Sequence, residues 1–436
     1  MILLKRSFKP VLIIAMLFLV ISSAYAQSTV LLLQSNSPIP SLNQLTGPDK
    51  KEFYLLRVEH YLELEATGDT DSFSVQYVFP PEYGYQVPIV LELFEDTTAT
   101  IYSYAIEKDT YEPNRVVNFT LGPLQQGSHC LIHFTVWVLV EDHDFTDIPQ
   151  QITMPESKND VPEETHHWIS SSDMVQSKRI RIRTTANKLE GKDETVFSYA
   201  NNVSHFILNH RYGLFLLQLW TRTFFNQDAL TTLRINGENV GRSHLACALF
   251  RTKGIPARVI LANNDQGFWT QMHYMVEYYH PTYGWVLLDS TKGEVPYATH
   301  RQIINRICSI DDEDDTKHDY IYRFMKGEER WIWLDTDQVE PYYVDCDQGS
   351  KSQMFTEAML ELSSFATDYT FFRTQNVFAQ YEKFLGSDLS TTDKNHVEQA
   401  IEFQTKACYQ LVETHDIDEY VFYIEKAYDE YKAIEE

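Results

Sequence analysis

Five cysteines, the adjacent pair Ser243-His244, His273 within an apolar run and Asp289 are the side chains whose types could carry nucleophilic or acid-base chemistry. A cysteine works as its thiolate, which forms readily only at a helix N-terminus or beside an imidazolium. An imidazole then moves the proton, and a carboxylate fixes its tautomer. Cys247 lies within Leu245-Ala246-Cys247-Ala248-Leu249 and reads as a small apolar core residue. Ser243 and His244 lack a nucleophile elbow and a defined base, which argues against a serine hydrolase. Cys130, Cys247, Cys308, Cys346 and Cys408 show no CxxC and no zinc-ligand spacing, so neither a metal nor a cofactor is expected. Cys308 and Cys346 flank one segment and form the expected bridge if the compartment permits disulfides. Asp311 to Asp315 lacks the ligand alternation and central Gly of a calcium loop and is read as a solvated surface loop.

These residues need elements to hold them. From about Phe53 to Val140 the sequence has period two: Leu56, Val58, Leu62 and Leu64, then Phe73, Val75, Tyr77 and Phe79, then Ile132, Phe134, Val136, Val138 and Val140, with Trp137 and Leu139 on the other face. Several such strands between turn residues predict a sandwich of antiparallel sheets. Thr146 to Glu164, polar and carrying Pro149, Pro155 and Pro162, reads as a linker. Beyond it Val196, Tyr199, Ala200, Val203, Phe206 and Ile207 fall at helical spacing. A second helix is expected over Leu214 to Phe225. A third starts near Asn239 and ends at Gly254, before Ile255-Pro256. Strands are expected at Arg258 to Ala262, Met272 to Tyr279 and Trp285 to Asp289, with the hairpin turn at Pro281 to Gly284. From Met354 onward helices are expected, with Val397, Ile401, Cys408 and Leu411, then Val421, Ile424, Tyr428 and Tyr431, on their apolar faces.

Asp228-Ala229-Leu230, Gly237-Glu238-Asn239-Val240-Gly241, Arg251-Thr252-Lys253-Gly254-Ile255-Pro256-Ala257-Arg258, His273-Tyr274-Met275-Val276-Glu277 and Gly284-Trp285-Val286-Leu287-Leu288-Asp289 together resemble the transglutaminase-like family, whose fold is related to papain-type cysteine proteases. The likeness runs over roughly residues 160–295, with Val161-Pro162-Glu163 resembling the family's lead-in. It implies that His273 and Asp289 stand at the family's His and Asp positions. In the same register the family's cysteine position holds Asn239. A carboxamide is no nucleophile at neutral pH, whereas Asn is a favoured helix N-cap and could keep the helix start intact. The expected triad positions are therefore Asn239, His273 and Asp289, with Asn239 replacing Cys. Trp269, Tyr274 and Trp285 are candidate aromatic walls of a cleft, with packing the favoured role for Trp285.

The 436 residues carry a net charge of −26, which excludes a general polyanion binder and a nucleic-acid partner. Lys5, Arg6 and Lys9, the apolar stretch Val11 to Ile21 and Ala24-Tyr25-Ala26 read as a cleavable export signal over 1–26, too short for a membrane span and leaving no stable span after cleavage. The sequons at Asn118 and Asn202 matter only if the source glycosylates exported proteins. The expected architecture is α+β: a β-sandwich over 27–150, a papain-like transglutaminase-like core over 160–300, an irregular or β extension over 301–350 and a helical C-terminal region over 354–436. Three readings of function stay open. One is a catalytically inactive exported domain binding peptide, protein or cell-envelope material, or acting as a scaffold. The second is an active transglutaminase or cysteine peptidase working through an unexpected thiol such as Cys247. The third is a purely structural module.

Overall fold

The structure, a computed structural model, describes residues 50–142, 147–191, 195–210, 226–264, 272–293, 295–296, 302–316, 331–342, 350–384 and 387–435. The period-two segments form β1 (Lys50–Ala66), β2 (Phe73–Phe79), β3 (Gln86–Leu93), β4 (Ile101–Lys108), β5 (Arg115–Leu121) and β6 (His129–Glu141). β3, β6 and β1 pair antiparallel in one sheet, and β4, β5 and β2 in another. Side chains alternate across each strand, so Tyr54, Leu56, Val58, Leu62 and Leu64 of β1 meet Tyr77, Phe119 and Phe134 between the sheets. Phe53, Leu55, Val87, Trp137 and Leu139 face the opposite way and need a second cover.

Past residue 150 the pattern turns helical. The segment expected as a linker contains 3-10 turns at Lys158–Asp160 and Glu163–Ile169, and it is packed down through the buried Val161, Thr165 and Trp168. Helices α1 (Ile180–Leu189), α2 (Val196–Leu208) and α3 (Ala229–Arg234) pack against α4 (Asn239–Thr252). The helix expected over Leu214 to Phe225 lies outside the described residues. α4 is buried from Val240 to Arg251, because it is wedged between those helices and a four-stranded sheet. That sheet comprises β7 (Ala257–Asn264), β8 (Met272–His280), β9 (Gly284–Leu288) and β10 (Gln302–Ile307), in the order β10-β7-β8-β9. Gly254, at φ +74°, ends α4 in the left-handed conformation that only glycine adopts cheaply, and Gly284, at φ +98°, closes the β8–β9 hairpin.

Two buried carboxamides join this core to the sandwich. Gln86 donates to Ile304 O at 2.8 Å and accepts from Ile304 N at 2.7 Å. Asn114 treats Ile307 the same way, at 2.8 Å in both directions. Each amide satisfies a backbone pair of β10 as a neighbouring strand would. The acidic run expected as a solvated loop is instead a short helix, α5 (Ile310–Asp315), started by a capping box between Ser309 and Asp312. Its Glu313 is fully buried because it pairs with Arg251 at the end of α4. Cys130, Cys247, Cys308 and Cys408 are free and buried. Cys308 points into the apolar core, so the bridge expected to Cys346, itself outside the described residues, is not formed.

The chain then returns to the sandwich. β11 (Ile332–Leu334) pairs with β2, β12 (Val339–Pro341) with the end of β1, and β13 (Ser350–Ser363) with most of β1. This corrects the helix expected from Met354. A bulge opposite Leu55 and Leu56 shifts the register, so Met354 faces the sandwich interior while Ala358, Leu360 and Leu362 face outward. Helices α6 (Ser364–Phe384), α7 (Thr391–Tyr409) and α8 (Ile417–Glu435) then cover the outer face of the first sheet through Phe371, Ala407, Tyr420 and Ile424. The fold is α+β, with sandwich strands both before and after the helix-and-sheet core in the sequence.

Candidate functional site

Asn239 is the first residue of α4, and Glu238 holds the N-cap without a side-chain cap bond. The capping role expected of Asn239 is therefore corrected. Its carboxamide has a partner on β8 instead, with Nδ2 donating to His273 Nδ1 at 3.1 Å. The Glu238 N–H is taken up by Gln227 Oε1 at 3.0 Å. On its other side the imidazole meets Asp289, just past the end of β9, with Nε2 and Oδ2 3.1 Å apart. The structure thus brings Asn239, His273 and Asp289 into one line of hydrogen bonds across α4, β8 and β9.

The line fixes the proton positions. An amide N–H facing Nδ1 makes that nitrogen the acceptor, so the ring proton is assigned to Nε2, where it is donated to Asp289. Burial alone would raise the Asp289 carboxyl, but the hydrogen bond and charge of His273 and two hydrogen bonds from Thr291 hold it below the ordinary carboxylate value. Those two come from the Thr291 backbone N–H at 2.8 Å and its hydroxyl at 2.7 Å, both to Oδ1. His273 is 6% exposed and Asp289 0%. The chemical result is an oriented imidazole whose Nδ1 lone pair is already occupied.

The alternative nucleophiles are engaged elsewhere. Ser243 Oγ donates to Tyr274 O at 3.1 Å and lies 3.2 Å from Ser290 Oγ. His244 is sealed in the core between Gln227 O and Thr316 Oγ1, both 2.7 Å away, and burial pulls its pKa down to about 4. Cys247 is fully buried, and desolvation pushes its thiol pKa far up. It sits two turns, or ~12 Å, along α4 from Asn239. Of the aromatic candidates, Tyr274 is buried and its hydroxyl accepts from Trp331 Nε1 at 3.0 Å. Trp285 is half-buried, and the Arg258 guanidinium stands 3.7 Å from its ring centre. Trp269 lies outside the described residues. Among the described residues no three His, Cys, Asp or Glu side chains group as metal ligands.

Reading the sequence missed the supports of this site. Thr291 follows Asp289 by two residues, the spacing at which an Asp side chain captures a backbone N–H, and that pattern could have found it. Arg258 and Glu277 both lie in the quoted motifs, and the β7–β8 register sets them directly opposite one another. They form a buried ion pair at 2.7 Å, which the hydroxyl of Tyr83 from the sandwich joins. The strongest motif residue, Arg258, therefore holds the core together and fastens it to the sandwich.

The model of the transglutaminase-like superfamily matches residues 183–290. None of the curated proteins matches the chain. Among solved structures, a candidate cysteine protease from Cytophaga hutchinsonii is 16% identical with a TM-score of 0.46, the match covering 70% of this chain and 98% of that one. The periplasmic domain of TgpA from Pseudomonas aeruginosa, bound to ethylmercury, is 13% identical with a TM-score of 0.25, covering 58% and 94%. A candidate protease from Parabacteroides distasonis is 12% identical with a TM-score of 0.21, covering 55% and 46%. With α4, β8 and β9 carrying Asn239, His273 and Asp289 inside the matched segment, residues 183–290 are a transglutaminase-like domain of papain-like fold.

Proposed function

We propose that this domain does not catalyse acyl transfer and that the protein works outside the cytoplasm as a binding or scaffolding module for peptide, protein or cell-envelope material. The observation that carries the reading is the Asn239 to His273 hydrogen bond. A carboxamide cannot form the thioester on which this chemistry depends, and its N–H occupies the lone pair with which His273 would accept a proton. Export is supported by the basic head, the apolar stretch and Ala24-Tyr25-Ala26 in residues 1–26, and among the described residues no helix is long and apolar enough to cross a membrane.

The enzymatic alternative needs Cys247 as its thiol. Complete burial and a thiol pKa pushed far above neutrality speak against it. The purely structural reading is favoured by the burial of His273 and Asp289. Two measurements separate the three. A thiol-reactive probe is expected to leave Cys247 unlabelled, and labelling of Cys247 that disappears in His273→Ala would overturn the inactive assignment. Pull-down with the protein lacking residues 1–26 is expected to enrich a ligand whose capture weakens in Asn239→Ala. Capture indifferent to that change would favour the structural module.

A further inference from the structure

A second place in the molecule, away from Asn239 and His273, gathers cations around a hollow. At the far end of α4, ~18 Å from Asn239 along the helix axis, a cavity of about 310 Å³ opens between the 3-10 turns, the start of α1 and the last turn of α4. At ~30 Å³ per water it has room for roughly ten. Lys158, Lys178 and Arg183 line it together with Ser170, Ser177 and Ile169, and no Asp or Glu does. In a chain of 62 acidic and 36 basic residues such a lining is unexpected.

Its origin is visible in the sequence. From Met174 to Leu189 there is no acidic residue, while Lys178, Arg179, Arg181, Arg183 and Lys188 fall within that stretch. Lys158, Lys178 and Arg183 make no ion pair among the described residues, whereas Arg57, Arg115, Arg251, Arg258, Arg306 and Arg373 all do. Nearby carboxylates are turned elsewhere. Asp160 accepts from the backbone N–H groups of Glu156 and Ser157 at 2.9 and 2.7 Å, and Glu313 is committed to Arg251. Arg251 itself reaches the cavity wall and donates to Ser170 O at 2.9 Å, so its guanidinium fixes the wall while Glu313 cancels its charge. Three exposed cations, without ion pairs among the described residues, face one half-open hollow.

We infer that this cavity binds a small, multiply charged tetrahedral oxyanion of the phosphate-monoester class, with Lys158, Lys178 and Arg183 as its ligating groups. Arg matches such an anion with two parallel N–H donors, and the two Lys supply point charges. The strongly negative surroundings exclude a long polyanion but not a small one held inside the pocket.

Calorimetric titration of the full chain with inorganic phosphate, glucose 1-phosphate and succinate tests this. Binding of the two phosphates with Kd of about 1 mM or tighter, with succinate at least roughly tenfold weaker, is the expected result. Glucose 1-phosphate binding more tightly than inorganic phosphate assigns the remaining volume to the organic part, and equal binding confines the site to the oxyanion. All three cations are exposed, so Lys178→Gln with Arg183→Gln leaves the fold intact and should weaken phosphate binding by at least roughly tenfold. Asn239→Ala should leave it unchanged, which separates this site from the triad. Absence of phosphate binding, or binding that Lys178→Gln with Arg183→Gln does not alter, overturns the inference.

Discussion

At Asn239 the side-chain N–H faces His273 Nδ1, so a thiol placed there should form a poised pair with the imidazole. In Asn239→Cys the thiol would sit in the first turn of α4, where the helix dipole and His273 both favour the thiolate, and its pKa is expected below the ordinary ~8.5. Iodoacetamide should alkylate it faster than any native cysteine, and the advantage should vanish on adding His273→Ala. Turnover should stay low, because sulfur alone does not rebuild the groups that position a substrate. The contact between His273 and Asp289 could be anticipated from the sequence because both lie in intact motifs. The contact of Asn239 could not, because N-cap preference is local and the partner that outcompetes the cap lies 34 residues away. A second residue-scale prediction concerns His60. It is fully buried between Tyr77 and Phe134, neither ring nitrogen has a hydrogen-bond partner, and burial lowers its pKa from 6.5 to about 3. The unfolded chain therefore takes up a proton there below about pH 6.5 that the native state refuses until about pH 3, so stability falls as pH drops through that window. The loss at pH 4.5 should be about 2–3 kcal/mol, measured by urea unfolding. His60→Leu should flatten that slope.

Among the elements, β7 and β8 are joined by the buried Arg258–Glu277 ion pair. Arg258→Met leaves Glu277 buried without its cation and should cost about 3–5 kcal/mol, read as a fall in the urea midpoint. Adding Glu277→Met should recover most of that, since the unpaired charge goes with it. Tyr83→Phe should cost only about 1 kcal/mol, because it removes a hydroxyl and not a charge. The helix and strands of this core could be read closely from sequence because the Gly stop after α4 and the apolar pattern agree there. β13 could not, because its bulge interrupts the two-residue alternation between Met354 and Ala358. The acidic α5 could not either, since five consecutive acidic or polar positions give no hint that Glu313 meets a cation more than sixty residues earlier in the chain.

For the whole molecule, the C-terminal helices act as the lid of the first sheet. A chain ending at Ser363 would uncover Phe53, Leu55, Val87, Trp137 and Leu139, a contiguous apolar face. Such a truncation should bind a hydrophobic dye strongly and elute as aggregates by size-exclusion chromatography, while the full chain does neither. The sandwich and the helices were each legible from period alone. Their order in space was not, because nothing local tells β1 that its longest partner arrives near the end of the chain. That pairing also sets a schedule for folding. Arg57 of β1 meets Glu357 of β13 across 300 positions. Until those last strands leave the ribosome, β1 keeps one edge open, and the sandwich cannot close around whatever has already formed. A chain built in this order stays unfinished for nearly the whole of its synthesis. Threading it through a narrow pore before folding is then easier, and protecting the waiting edge becomes a task for a chaperone.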